Sequence, residues 1–104
     1  MEINEFARMS YERSSKHDKK GIFDWEFYAI ATGGEAGELL NILKKVRRGD
    51  FPLDKEKVAD ETVDVIQYAL LLLSSLGVDP EKAIMKKYDE VNRRLEKGGF
   101  GKRA

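Results

Sequence analysis

Four acidic side chains, set in two pairs, carry the clearest chemical signal in the sequence. The first pair is Glu35 and Glu38, in Glu35-Ala36-Gly37-Glu38. The second is Glu61 and Asp64, in Glu61-Thr62-Val63-Asp64. Each pair has i, i+3 spacing, which on a helix sends both carboxylates to one side. A single such pair reads as ordinary solvated helix surface. Two features argue against that reading here. Asp64 lies among Val63, Val65 and Ile66, where an unpaired acid is costly. Glu35 and Glu38 adjoin Ala36 and Leu39 and so border an apolar stripe.

If the two pairs meet, four carboxylates repel one another and desolvation adds to the cost. A hard divalent cation removes that conflict. Mg²⁺ prefers oxygen ligands and keeps water and phosphate in its shell. No imidazole adjoins either pair, which argues against catalytic zinc and against the Glu-x-x-His pattern of di-iron bundles. The only histidine, His17, falls in an expected loop without a partner nearby in sequence and is assigned no catalytic part. Gly33, Gly34 and Gly37 crowd the first pair, at about 0.8–1 kcal/mol each relative to Ala in a helix interior. Close approach of backbone, metal or substrate to that turn would explain them. Tight helix packing or a kink would serve equally for Gly33.

The elements that must position these acids are helices. A first helix is expected from Ile3 to about Ser15, followed by a polar loop through Gly21. A second should start at Asp24 as N-cap and run to about Arg48, with Gly49 as its stop. Its apolar stripe is Trp25, Ala29, Ala36, Leu39, Leu40, Leu43 and Val46. A third spans about Asp54 to Leu76, closed by Gly77. Its second half is apolar almost all round, so it must be enclosed on every side, and part of that cover is expected from another subunit. A fourth begins with Asp79 as cap and Pro80 at its first position, and ends near Gly98. The short connector Asp50-Phe51-Pro52 makes helices two and three antiparallel neighbours, which can bring the acidic pairs face to face. No credible strand appears.

The 104 residues make one domain, with a basic, flexible tail expected over 98–104. Lys and Arg number 19 and Asp and Glu number 19, a zero balance that argues against nucleic acid as the partner. The absence of cysteine excludes disulfides, thiol catalysis and Cys-ligated zinc. The longest apolar run, Ala69 to Leu73, is too short to span a membrane. The opening Met1-Glu2-Ile3-Asn4-Glu5 has no apolar leader pattern, so a cytoplasmic protein is expected.

The two motifs together carry a family resemblance. Gly34-Glu35-Ala36-Gly37-Glu38-Leu39-Leu40-Asn41, followed by Lys44-Lys45, resembles the first motif of MazG-like nucleotide pyrophosphohydrolases. Asp60-Glu61-Thr62-Val63-Asp64-Val65-Ile66-Gln67-Tyr68 is similar to their second. Lys86 to Arg94 is similar to the family's basic, Asn-containing third region. The motif-bearing part covers about 24–97. Phosphoribosyl-ATP pyrophosphohydrolases and dimeric dUTP/dCTP hydrolases share the same metal motif. The resemblance implies an all-α fold, a four-helix bundle completed by subunit pairing into a homodimer or homotetramer. It also implies hydrolysis of a nucleoside triphosphate to monophosphate and pyrophosphate. By motif position Glu35, Glu38, Glu61 and Asp64 would hold Mg²⁺, with Mn²⁺ a possible substitute.

On that reading water attacks the α-phosphorus. Glu38, slightly ahead of Glu35, orients or deprotonates it. Lys87, Asn92, Arg93 and Lys97 of helix four, with Lys102 and Arg103 of the tail, are the candidates to hold phosphates. Trp25 and Tyr68 are candidates for base or sugar, and core packing is the commoner role for both. Asn41 could reach the nucleotide or cap a neighbouring helix. Two other classes stay open. One is a non-catalytic helical oligomerisation or partner-binding module. The other, disfavoured by charge, is a nucleic-acid-binding protein using helix four and the tail.

Overall fold

Three aspartates start three of the four helices. In the computed structural model, which describes residues 1–98, Asp24, Asp54 and Asp79 accept hydrogen bonds from the backbone N–H groups of Phe27, Lys57 and Lys82. Each satisfies one of the orphan donors of a first helical turn. The helices are α1 (Ile3–His17), α2 (Trp25–Arg48), α3 (Lys55–Ser75) and α4 (Pro80–Glu96), and no strand occurs among the described residues. Gly49 closes α2 at φ 86°, a left-handed conformation that glycine adopts without strain. The fold is therefore all-helical. Apart from Gly98, the tail expected over 98–104 lies outside the described residues.

α1 continues past the expected end near Ser15 to His17, so Lys16 and His17 are helical rather than part of the loop. Two contacts outweigh the polar composition of this stretch. Ser14 Oγ and Tyr28 Oη lie 2.6 Å apart, fixing the last turns of α1 against α2. The Asp18 carboxylate accepts from Ile22 N and Phe23 N at 2.9 and 3.1 Å, which folds the chain back directly after His17. Lys16 and His17 also sit in the last turn, where a helix favours positive charge.

α3 is the central element. It packs along α2 as a helical hairpin and also touches α1 and α4, whereas α2 and α4 do not meet. α3 and α4 are turned by 106° at the Leu76–Asp79 corner. Asn4 ties α1 to that corner, donating to Asp79 at 3.0 Å and accepting from Glu81 N at 2.9 Å.

The core is thin. Ala7, Tyr28, Leu70 and Leu71 are its fully buried apolar residues. Tyr28, absent from the expected stripe, is the anchor of α2, while Trp25 and Leu40 of that stripe are exposed. Phe23, Phe27 and Tyr28 form an aromatic cluster, with the two Phe rings stacked at 4.4 Å. One chain does not enclose α3: Leu70 and Leu71 are covered, but Val63 and Ile66 remain about half exposed. The radius of gyration is 16.6 Å, against about 13 Å for a compact domain of this length. No single helix among the described residues is long and apolar enough to cross a membrane.

Candidate metal centre

The α2–α3 hairpin brings the two acidic pairs together. One carboxylate oxygen from each of Glu35, Glu38 and Glu61 lies within 4.8 Å of the others. Asp64 stands beside this triangle and lines a cavity with Glu35. Glu35 and Glu61 each bury one oxygen, Oε2, that accepts no hydrogen bond from any described residue. Buried acceptors are rarely left so, because the lost hydration is uncompensated. Burial pushes the Glu35 carboxyl above the usual carboxylate range, and the charges of Glu38, Asp64 and Glu61 push it further in the same direction.

An all-oxygen set of this kind fits a hard divalent cation. Such an ion would give a partner to carboxylates that hold orphaned oxygens, and its charge would offset the burial cost and the repulsion that raise Glu35. Glu38 is the exposed member of the triangle, so its carboxylate is the one open to water. The glycines near this turn do not serve close packing within the chain. A Cβ at Gly33, Gly34 or Gly37 would meet no atom within 4 Å.

Beside the acids is a cavity of about 330 Å³, lined on the α2–α3 side by Glu35, Asp64, Gln67, Tyr68 and Leu71. Tyr68, a sequence candidate for base or sugar, lines this cavity one turn beyond Asp64 on α3. The facing wall is α1, through Ser10, Arg13, Ser14 and His17, with Phe23 of the following loop. None of these five had been singled out as a binding residue. For the four on α1 the signal is spacing: positions 10, 13, 14 and 17 share one helical face, the last of them only once the helix is carried to His17.

The other expected substrate contacts do not converge on this cavity within one chain. Trp25 is about half exposed and Asn41 is exposed, and neither lines it. Lys87 pairs with Glu90 at 3.5 Å on α4. Asn92 is half-buried on α4, and Arg93 and Lys97 are exposed near its C-terminal end. None of these four lines the cavity of Glu35 and Asp64. Lys102 and Arg103 lie outside the described residues. Scans of the chain against protein-family models, curated proteins and solved structures return no match.

Proposed function

We propose that the chain is a Mg²⁺-dependent nucleotide pyrophosphohydrolase, which cleaves a nucleoside or deoxynucleoside triphosphate to monophosphate and pyrophosphate. The observation that carries this reading is the triangle of Glu35, Glu38 and Glu61 oxygens, two of its residues holding buried unpartnered acceptors, at the edge of a cavity of about 330 Å³. That volume lies at the small end of the range for small-molecule sites. The resemblance of residues 34–41 and 60–68 to the MazG-like motifs points the same way.

Glu35, Glu38 and Glu61 would hold Mg²⁺, or Mn²⁺ in its place, with Asp64 on the cavity side. The bound ion supplies charge neutralisation at the phosphate oxygens and acidifies water. The exposed Glu38 is the better placed of the first pair to accept the proton of the attacking water at a carboxylate oxygen. Attack at the α-phosphorus breaks its bond to the bridging oxygen, and pyrophosphate leaves. Tyr68 would pack on the sugar.

The same reading includes self-association. Ile30, Gly33, Gly37 and Leu40 recur on one face of α2, with Ile30 and Leu40 about two-thirds exposed. Ile84, Tyr88 and Leu95 make a second exposed stripe on α4. Apolar stripes of this length call for cover, and a homodimer or homotetramer would supply it.

The test is a panel of ribo- and deoxynucleoside triphosphates incubated with Mg²⁺ and scored for pyrophosphate against orthophosphate. Metal-dependent pyrophosphate release supports the reading. A chain that self-associates but cleaves no nucleotide would instead be a non-catalytic oligomerisation module.

A further inference from the structure

We propose that Arg13 and His17 of α1 form the phosphate-holding wall of the cleft and take the pyrophosphate end of the substrate. The identity of the ligand rests on the pyrophosphohydrolase reading; the cationic wall rests on geometry alone. Among the residues lining the cavity of Glu35 and Asp64, only Arg13 and His17 can carry positive charge. They are four residues apart on one helix, hence on one face. Both are exposed, at the rim, whereas Ser10 and Leu71 are buried. A rim suits the hydrated, charged end of a nucleotide better than its base. Among the described residues neither Arg13 nor His17 enters an ion pair, so their donors are not committed elsewhere. Arg offers a planar fork of donors matched to phosphate, and imidazole adds a ring N–H.

The cationic side continues beyond the cleft. An adjoining cavity of about 290 Å³ shares His17 and Phe23 and is lined also by Lys19 and Lys20. The loop that carries these lysines is pinned by the Asp18 carboxylate, through its bonds from Ile22 N and Phe23 N. Within one chain Arg13 and His17 of α1 line the cavity of Glu35 and Asp64, which no residue of α4 does.

Sign of charge fixes a condition on binding. Glu35 and Asp64 line the cleft, and Glu38 and Glu61 adjoin it. Four carboxylates against one permanent cation repel a bare anion. Pyrophosphate should enter only together with a divalent cation.

The experiment is calorimetric binding of inorganic pyrophosphate to the full chain, with and without Mg²⁺, beside steady-state turnover of the best nucleotide. Wild type should bind pyrophosphate at least tenfold more tightly with Mg²⁺. Arg13→Ala should weaken that binding at least tenfold and His17→Asn at least threefold. Arg13→Lys should recover part of the loss, because charge is kept and the fork is not. Lys16→Ala, the same charge change on α1 away from the cavity, should match wild type. In turnover Arg13→Ala should act mainly on KM. Unchanged melting temperatures would show that the exposed substitutions leave the fold intact. Wild-type affinity in Arg13→Ala, or no pyrophosphate binding by wild type, overturns the proposal. Turnover in wild type that is lost in Arg93→Ala but kept in Arg13→Ala overturns it too, and leaves the pyrophosphohydrolase reading standing. Arg13-dependent pyrophosphate binding without any nucleotide cleavage supports the wall and sinks that reading instead.

Discussion

Glu35→Gln is the most informative single substitution, because it separates the cost of the acidic cluster from its use. In wild type without divalent ions, Glu35 carries a buried, unpartnered oxygen, and its carboxyl is held above the usual range by burial and three neighbouring acids. Replacing it by Gln removes the charge and keeps the shape. Without Mg²⁺ the variant should therefore melt at or above the wild-type temperature. With Mg²⁺ the order should reverse. An ion at a hundred times its dissociation constant stabilises a folded chain by about 2.7 kcal/mol. In a domain near this size that corresponds to about 11–22 °C, at about 4–8 °C per kcal/mol. Glu35 gives one of the three oxygens grouped within 4.8 Å. If its loss weakens the ion by about a hundredfold, the upper figure for disturbing even an outer-shell partner, the same Mg²⁺ concentration only equals the new dissociation constant. The remaining gain is about 0.4 kcal/mol, or about 2–3 °C. Differential scanning fluorimetry at matched ionic strength reads both effects and sets aside simple screening by salt. A wild-type-sized Mg²⁺ shift in Glu35→Gln would refute the assignment of that carboxylate. A variant that melts well below wild type without Mg²⁺ would refute the claim that the cluster is strained.

Further expectations follow from the same geometry. Glu38→Gln should abolish nearly all Mg²⁺-dependent pyrophosphate release, and wild-type-like turnover would remove Glu38 from its role. Because the folded state raises the Glu35 carboxyl above the unfolded value of 4.5, the folded chain holds more protons over that interval. Stability without Mg²⁺ should then fall as pH rises from about 4.5 through the raised value, and saturating Mg²⁺ should flatten the fall; melting curves across pH check the sign. Tyr28→Phe deletes the 2.6 Å contact to Ser14 and should cost about 0.5–1.5 kcal/mol in urea denaturation; no loss would mean that this bond does not hold α1 in place. Light scattering at micromolar concentration should give a dimer or larger, and Ile30→Asp should shift it toward monomer; a wild-type monomer would contradict the role given to the exposed stripes.

Much of this fold is legible in the sequence because its punctuation is local. Asp24, Asp54 and Asp79 bond to amides three residues on, and Gly49 and Gly77 take left-handed conformations. Such signals need no tertiary contact to act. The end of α1 is different. Lys16-His17 reads as loop by composition; the contact of Ser14 with Tyr28, fourteen residues away, and the Asp18 turn hold this end of α1 in place. That two-residue extension adds His17 to a face already set by Ser10, Arg13 and Ser14. The acidic pairs were readable because i, i+3 spacing and a short connector fix which side chains can meet. The position of α4 was not, since nothing local in Leu76-Gly77-Val78-Asp79 specifies a 106° corner. Its basic residues, candidates by sequence to hold phosphates, do not line the cavity of Glu35 and Asp64. Trp25 and Leu40 fit the helical period of α2, yet the covered side runs through Tyr28, a register that depends on where α1 docks.

The most direct test of the metal centre is anomalous diffraction from crystals of the full chain grown with Mn²⁺ in place of Mg²⁺. The account predicts an anomalous peak between the α2–α3 carboxylates, ligated by oxygens of Glu35, Glu38 and Glu61, with Asp64 on its cavity side. Crystals at millimolar Mn²⁺ with no peak there, or with those carboxylates turned apart, would contradict it.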